Sequence, residues 1–174
     1  MSRLAPINFK KWIDENRHLL KPPVGNKVIW EDREFIVMVV GGPNSRTDYH
    51  VNQGEEFFYQ VEGDMVLKVI DDGKFVDVPI HAGEIFLLPA GMPHSPQRPA
   101  NTVGLVLEKK RVEGELDGFE WHCEKCAAKL YEESFHLTNI VEQFPPIFER
   151  FYANDEHTTC KACGTKMMKP NAKN

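Results

Sequence analysis

Between Val28 and Arg111 the chain is cut into short apolar runs by glycine, proline and aspartate, and this spacing constrains the fold more than any other feature. The runs Val28-Trp30, Glu34-Val40, Glu56-Val61, Asp64-Ile70, Lys74-Pro79, Glu84-Leu88 and Thr102-Lys109 are too short for typical helices. Their β-branched and aromatic content predicts strands. Asp71-Asp72-Gly73 has the chemistry of a hairpin turn, and His81-Ala82-Gly83 reads as another. Many short strands at this spacing predict an all-β sandwich, barrel or jelly roll.

The flanks read differently. Asn8 can cap a helix running to about His18, with Phe9, Trp12 and Ile13 on its apolar face, and Lys21-Pro22-Pro23-Val24-Gly25 stops it. Near the other end, Thr138 to Phe144 suits a short helix ended by Pro145-Pro146. Ile147, Phe148, Phe151 and Tyr152 follow at helical spacing and are expected to pack the tail against the barrel. Met167-Met168-Lys169-Pro170 and the polar end are expected to be poorly ordered. A chain of 174 residues is long enough for one sizeable core and an appended subdomain.

Within this frame two segments offer metal-compatible side chains, Asp48-Tyr49-His50 to Glu56 and Pro93-His94 to Arg98. Alternation along the strand after Gly54 puts Glu56, Phe58 and Gln60 on one face and Glu55, Phe57 and Tyr59 on the other, so only one glutamate points inward. Two imidazoles and one carboxylate would leave about half of an octahedral iron open for substrate and oxygen. Lone histidines are more often surface or hydrogen-bonded core residues, and spacing alone leaves that reading open. Arg46 precedes His50 by four residues and Arg98 follows His94 by four, so both guanidinium forks are candidates to bind a carboxylate at one cavity mouth.

The two segments resemble the cupin motifs. Gly42, then five residues, Asp48-Tyr49-His50, Glu56 and Gly63 follow the first motif, and Gly83, Pro89-Ala90-Gly91 and His94 follow the second. Asp48 stands where the first motif usually has histidine, and Arg98 where the second has asparagine. Those departures, with the blocks Gly41 to His50, Glu55 to Gln60, Phe86 to Pro89, His94 to Pro99 and Asp117 to Trp121, make the chain similar to bacterial-type 3-hydroxyanthranilate 3,4-dioxygenases of the cupin superfamily. The resemblance implies a cupin jelly-roll barrel with an N-terminal helix, residues 1-118, followed by a rubredoxin-like metal-binding tail, residues 119-174, packed on the barrel.

It also implies Fe(II) at His50, Glu56 and His94, with Asp48 a weaker fourth candidate. Arg98 would hold the substrate carboxylate, Arg46 would lie close to the oxygen-binding side, and Glu108 would contact the polar groups and handle a proton. The implied reaction opens the ring of 3-hydroxyanthranilate with O2, giving 2-amino-3-carboxymuconate semialdehyde, the precursor of quinolinate in tryptophan and kynurenine catabolism. A homodimer is implied too. Two other readings keep the fold: a related aminophenol or catechol dioxygenase, and a non-catalytic cupin that binds a small carboxylated ligand.

All four cysteines lie after residue 120, as Cys123-Glu124-Lys125-Cys126 and Cys160-Lys161-Ala162-Cys163. Paired Cys-x-x-Cys knuckles predict a tetrahedral thiolate site for structural Zn or Fe, closed to chemistry because no coordination position is left open. A nucleic-acid zinc ribbon is disfavoured by the formal charge of -5 and the lack of a basic stripe interleaved with aromatics. No apolar run is long enough to span a membrane, and no secretion signal is visible, so a cytoplasmic location without membrane partners is expected.

Overall fold

The computed structural model describes residues 5–22, 25–30 and 33–170. Among them the strands are β1 Asn26–Trp30, β2 Phe35–Gly41, β3 Asp48–Val51, β4 Glu56–Glu62, β5 Met65–Asp71, β6 Lys74–Ile80, β7 Ile85–Leu88, β8 His94–Gln97, β9 Val103–Lys109, β10 Asp117–His122 and β11 Lys129–Phe135. The helices are α1 Phe9–Asn16, α2 Ile140–Tyr152 and α3 Asp155–Thr158. Antiparallel pairing gives a five-stranded sheet, β1-β2-β9-β4-β7, and a six-stranded sheet, β11-β10-β3-β8-β5-β6. Asp72 and Gly73 both adopt positive φ, 45° and 71°, as a tight hairpin between β5 and β6 requires.

The expected closed barrel does not form. Each sheet ends in two edge strands, β1 and β7 in one and β11 and β6 in the other, and no backbone ladder joins the sheets among the described residues. The layers meet through side chains instead: Met38, Phe58, Leu88 and Val106 of the first face Met65, Leu67, Val69 and Ile80 of the second. Burying each such side chain contributes about 1.5–3 kcal/mol. Alternation dictates which face of a strand is buried, and that is the same in a sandwich and in a barrel. Closure depends on edge-to-edge hydrogen bonding, which the period-two pattern does not encode.

The N-terminal helix forms as expected. Asn8 Oδ1 accepts from the Lys11 amide at 3.0 Å, and Ile13, 1% exposed, packs with Leu20, Val39 and Val103 while Phe9 and Trp12 cover their rim. A single 3-10 turn, Arg17–Leu19, ends it. Of the expected stop signal, Pro23 and Val24 lie outside the described residues.

The tail departs from expectation at the prolines. Pro145 and Pro146 do not end a helix; α2 runs through both. Each removes one backbone donor from the helix ladder. The apolar face that carries Ile147 and Phe151, 3% and 0% exposed, offsets that loss by packing on Phe119 and Trp121 of β10. Trp121 and Phe151 stack with centroids 4.3 Å apart. Met167, expected to be poorly ordered, belongs to this same cluster. The polar end beyond Pro170 lies outside the described residues. β10 pairs with β3 on one side and β11 on the other, so the strand that opens the tail extends the ligand-bearing sheet. None of the described helices is long and apolar enough to cross a membrane.

Candidate active site

The ligand set expected from the sequence comes together from both layers. Glu56 heads β4 in the five-stranded sheet, whereas His50 on β3 and His94 at the start of β8 face each other as register partners in the six-stranded sheet. Alternation holds along β4, where Glu56, Phe58 and Gln60 are buried and Glu55 is exposed. One donor atom from each of His50, Glu56 and His94 falls within 4.8 Å of the other two, and all three residues are buried.

The donor chemistry fits a cation. His94 Nδ1 lies 3.0 Å from the Met92 carbonyl, which can only accept, so Nδ1 carries the proton and Nε2 presents its lone pair. That lone pair is 3.1 Å from Glu56 Oε2, yet the two do not align as donor and acceptor, and Glu56 Oε2 is buried without a hydrogen-bond partner among the described residues. Two converging acceptors in a dry interior need a proton or a metal ion between them. In the metal-free chain the proton is favoured: burial opposes a charge on His94, but the Glu56 carboxylate and Met92 carbonyl outweigh it and raise its pKa. Burial depresses His50. Metal binding at such a site displaces protons.

Asp48 does not join the triad. Its carboxylate is gripped by the Arg46 guanidinium, whose Nε lies 3.1 Å from Oδ2. The Arg46 guanidinium carbon sits 5.6 to 5.9 Å from the ring centroids of Phe119, Phe144 and Phe148, a cation-π cage built by β10 and α2. Phe144 also reaches the His50 ring at 5.8 Å.

Arg98 follows β8 directly and is 4% exposed. Its Nη1 donates to Gln60 Oε1 at 2.8 Å, its Nε has no hydrogen-bond partner among the described residues, and burial lowers its pKa to about 10. Gly104 makes room for it, since a Cβ there would stand 2.6 Å from Arg98 Nη1. Glu108, on β9, is the register partner of Glu56. Burial and the Glu56 charge push Glu108 up to about 7 against the pull of Arg111, whose Nη1 lies 2.6 Å away.

Three residues around the triad escaped the sequence reading. Asn52 Nδ2 donates to Glu108 Oε2 at 3.1 Å, Arg111 bridges Glu108 and Asp117, and Asp117 meets His50. Asp117 opens a block singled out by the resemblance, but a lone Arg111 beyond a strand end carries no signal of its own.

A family model described as 3-hydroxyanthranilic acid dioxygenase matches residues 1–152. The chain belongs to the 3-hydroxyanthranilic acid dioxygenase family. It is similar to the 3-hydroxyanthranilate 3,4-dioxygenase of Jannaschia sp. (strain CCS1), 58% identical over 165 residues that cover 94% of this chain and 92% of the relative. The protein of that name from Xanthomonas euvesicatoria pv. vesicatoria (strain 85-10) is 58% identical over 161 residues, 92% of this chain and 91% of the relative. A solved cupin-2 domain protein from Shewanella frigidimarina NCIMB 400 aligns with a TM-score of 0.48 and 20% identity, covering 59% of this chain and 93% of that one. In this member of the dioxygenase family, His50, Glu56 and His94 form the Fe(II) site.

The cysteines form the second cluster. All four Sγ atoms lie within 4.8 Å of one another, with Cys123 to Cys163 and Cys126 to Cys160 each 3.5 Å apart and no disulfide. Zn–S bonds of about 2.3 Å in a tetrahedron would set sulfurs about 3.8 Å apart. The knuckles match in backbone: Ala127 N donates to Cys123 O and Gly164 N to Cys160 O, each at 2.8 Å, with φ of 59° and 72°. The cluster is consistent with a second metal site. Replacing Cys123 by Ser is expected to halve the metal content per chain and speed proteolysis after residue 122, while iron at the triad stays bound; elemental analysis and limited proteolysis read both.

Proposed function

We propose that this chain catalyses the Fe(II)-dependent cleavage of 3-hydroxyanthranilate by O2 to 2-amino-3-carboxymuconate semialdehyde, the quinolinate precursor. The observation that carries the reading is the buried cluster of His50, Glu56 and His94; Glu108 is in register with Glu56, and Arg46 and Arg98 lie close enough to act on the charges of His94 and Glu56. Iron with three protein ligands keeps open positions and supplies the one-electron chemistry that O2 needs. In the proposed roles, Arg98 pairs with the substrate carboxylate, and its orphaned Nε gives it a donor to spare. Arg46, stiffened by Asp48 and its aromatic cage, lines the oxygen side. Glu108 takes up a proton from the substrate's polar groups.

The test is oxygen uptake with 3-hydroxyanthranilate after anaerobic Fe(II) loading, with the product identified. Turnover in iron-free buffer with Zn(II), which has no accessible redox change, would reject the mechanism. Uptake with catechols but not with 3-hydroxyanthranilate would favour a related dioxygenase, and binding without uptake a non-catalytic cupin. If Glu108 acts as its base, kcat/KM rises with pH as the carboxyl ionises, with a limb at or below about 7. Iron offsets the Glu56 charge that helps hold Glu108 up, so the limb lies lower in the loaded enzyme than the Glu108 titration in the metal-free chain. A pH–rate profile of Glu108→Gln without that limb is the expected result.

We further propose a cytoplasmic homodimer, with residues 119-174 as a structural metal-binding tail. Reduced thiolates suit the cytoplasm. Dimerisation is supported by the outer face of the five-stranded sheet, where Phe35, Ile85 and Leu87 are 53%, 66% and 52% exposed. Phe57 lies between Leu87 and Leu107 in register, and Tyr59 between Ile85 and Leu105, so the apolar face is continuous. Leu87→Asp is expected to halve the particle mass in sedimentation equilibrium without emptying the iron site.

A further inference from the structure

Glu108 is held through one of its two oxygens. Arg111 Nη1 donates to Oε2 at 2.6 Å, and Asn52 Nδ2 donates to the same atom at 3.1 Å. Both hydrogen bonds that the Glu108 side chain accepts among the described residues therefore end on Oε2. A carboxylate oxygen offers about two lone pairs, so Oε2 is filled and any further donor has to come to Oε1.

The two donors are anchored in different places. Arg111 is gripped by Asp117 at the start of β10, with Nε donating to Oδ1 at 2.7 Å and Nη2 to Oδ2 at 2.5 Å. Asn52 is 5% exposed and belongs to the turn that carries the chain from His50 on β3 to Glu56 on β4. Its Oδ1 accepts from the Gly54 amide at 2.8 Å, and its carbonyl accepts from the Gly91 amide at 2.8 Å. A backbone N–H only donates, so the side-chain oxygen is committed to Gly54 and the NH2 group is the end that meets Glu108. The turn itself uses only the oxygen. One donor would leave the carboxylate free to rotate about Cγ–Cδ, a broad torsion without staggered wells. Two donors from separate elements restrict that rotation, because each hydrogen prefers to lie near the carboxylate plane.

We propose that Asn52 is a positioning residue for the reaction: with Arg111 it pins Glu108 by Oε2 and leaves Oε1 as the oxygen that meets the substrate's polar groups. The inference rests on the substrate role given above to Glu108. It makes the short turn between two ligands of the triad also the support of the substrate-side carboxylate on β9, so that one loop sets both.

Asn52→Ala is expected to lower kcat and kcat/KM for 3-hydroxyanthranilate together by about 10–100-fold, the worth of a hydrogen bond to a charged group, with iron content near wild type. In a Glu108→Ala background the same change should cost less than about twofold, since Asn52 then has nothing to hold. Equal losses in both backgrounds, or iron lost in step with the rate, would make Asn52 a turn residue alone and overturn the proposal. Asn52→Asp keeps the acceptor for the Gly54 amide and loses the donor; a loss like that of alanine is expected, and a wild-type rate overturns the proposal. A crystal structure of Asn52→Ala reads the carboxylate without turnover. Glu108 rotated or in two orientations is expected, and a carboxylate unmoved from its wild-type place also overturns the proposal. Absent oxygen uptake in the wild type would count against the dioxygenase reading, while the crystal structure still decides whether Asn52 holds Glu108.

Discussion

Replacing Glu56 by alanine is expected to strip the triad of iron and abolish oxygen uptake while the cysteine cluster keeps its metal. Glu56 is the only carboxylate of the set, and its buried Oε2 has no hydrogen-bond partner among the described residues. Its removal leaves two neutral imidazoles to hold a divalent cation in a dry interior, where losing the anionic ligand is more damaging than in water. The loss should exceed the about 10–100-fold typical of outer-shell changes, and it should appear as missing iron before it appears as missing activity. Elemental analysis alongside an oxygen electrode distinguishes the two. Full iron content with normal uptake would reject Glu56 as a ligand.

Replacing Arg98 by alanine should act on substrate and leave the metal. Arg98 reaches Gln60 and none of the triad side chains within hydrogen-bond distance, so iron content is expected to stay near wild type. Truncating one partner of a buried charge pair costs about 2–5 kcal/mol, which corresponds to a loss of about 30-fold or more in kcat/KM for a carboxylated substrate. Arg98→Lys should recover little, because a point charge cannot reproduce the planar fork and its shorter reach leaves the Gln60 Oε1 acceptor without its donor. An analogue lacking the carboxylate should be nearly insensitive to the substitution. Equal losses for both substrates would reject the pairing and point to a packing defect next to Gly104.

Much of this arrangement is legible in the sequence because it depends on period and chemistry. Alternation on β4 correctly turned Glu56 inward and Glu55 outward, and the paired Cys-x-x-Cys spacing brought four sulfurs together. What escaped depends on relations between distant segments. β8 is short, polar and contains Pro96, so it lacks strand chemistry, yet its pairing with β5 places His94. Whether two sheets close into a barrel is decided at their edges, and edge strands β7 and β11 look no different in sequence from interior ones. α2 overrides Pro145 and Pro146 because tertiary burial of Phe151 outweighs local helix propensity, which a one-dimensional reading weighs first.

The division of the triad between the two layers has a mechanical consequence. With no backbone ladder from one sheet to the other among the described residues, an ion shared by Glu56 on β4 and the histidines on β3 and β8 is a removable rivet across the interior. Its contribution grows with the free ion concentration, reaching about 2.7 kcal/mol at a hundred times the dissociation constant. Heat resistance should therefore follow iron supply, and a cell starved of iron would hold a chain that is both idle and easier to unfold.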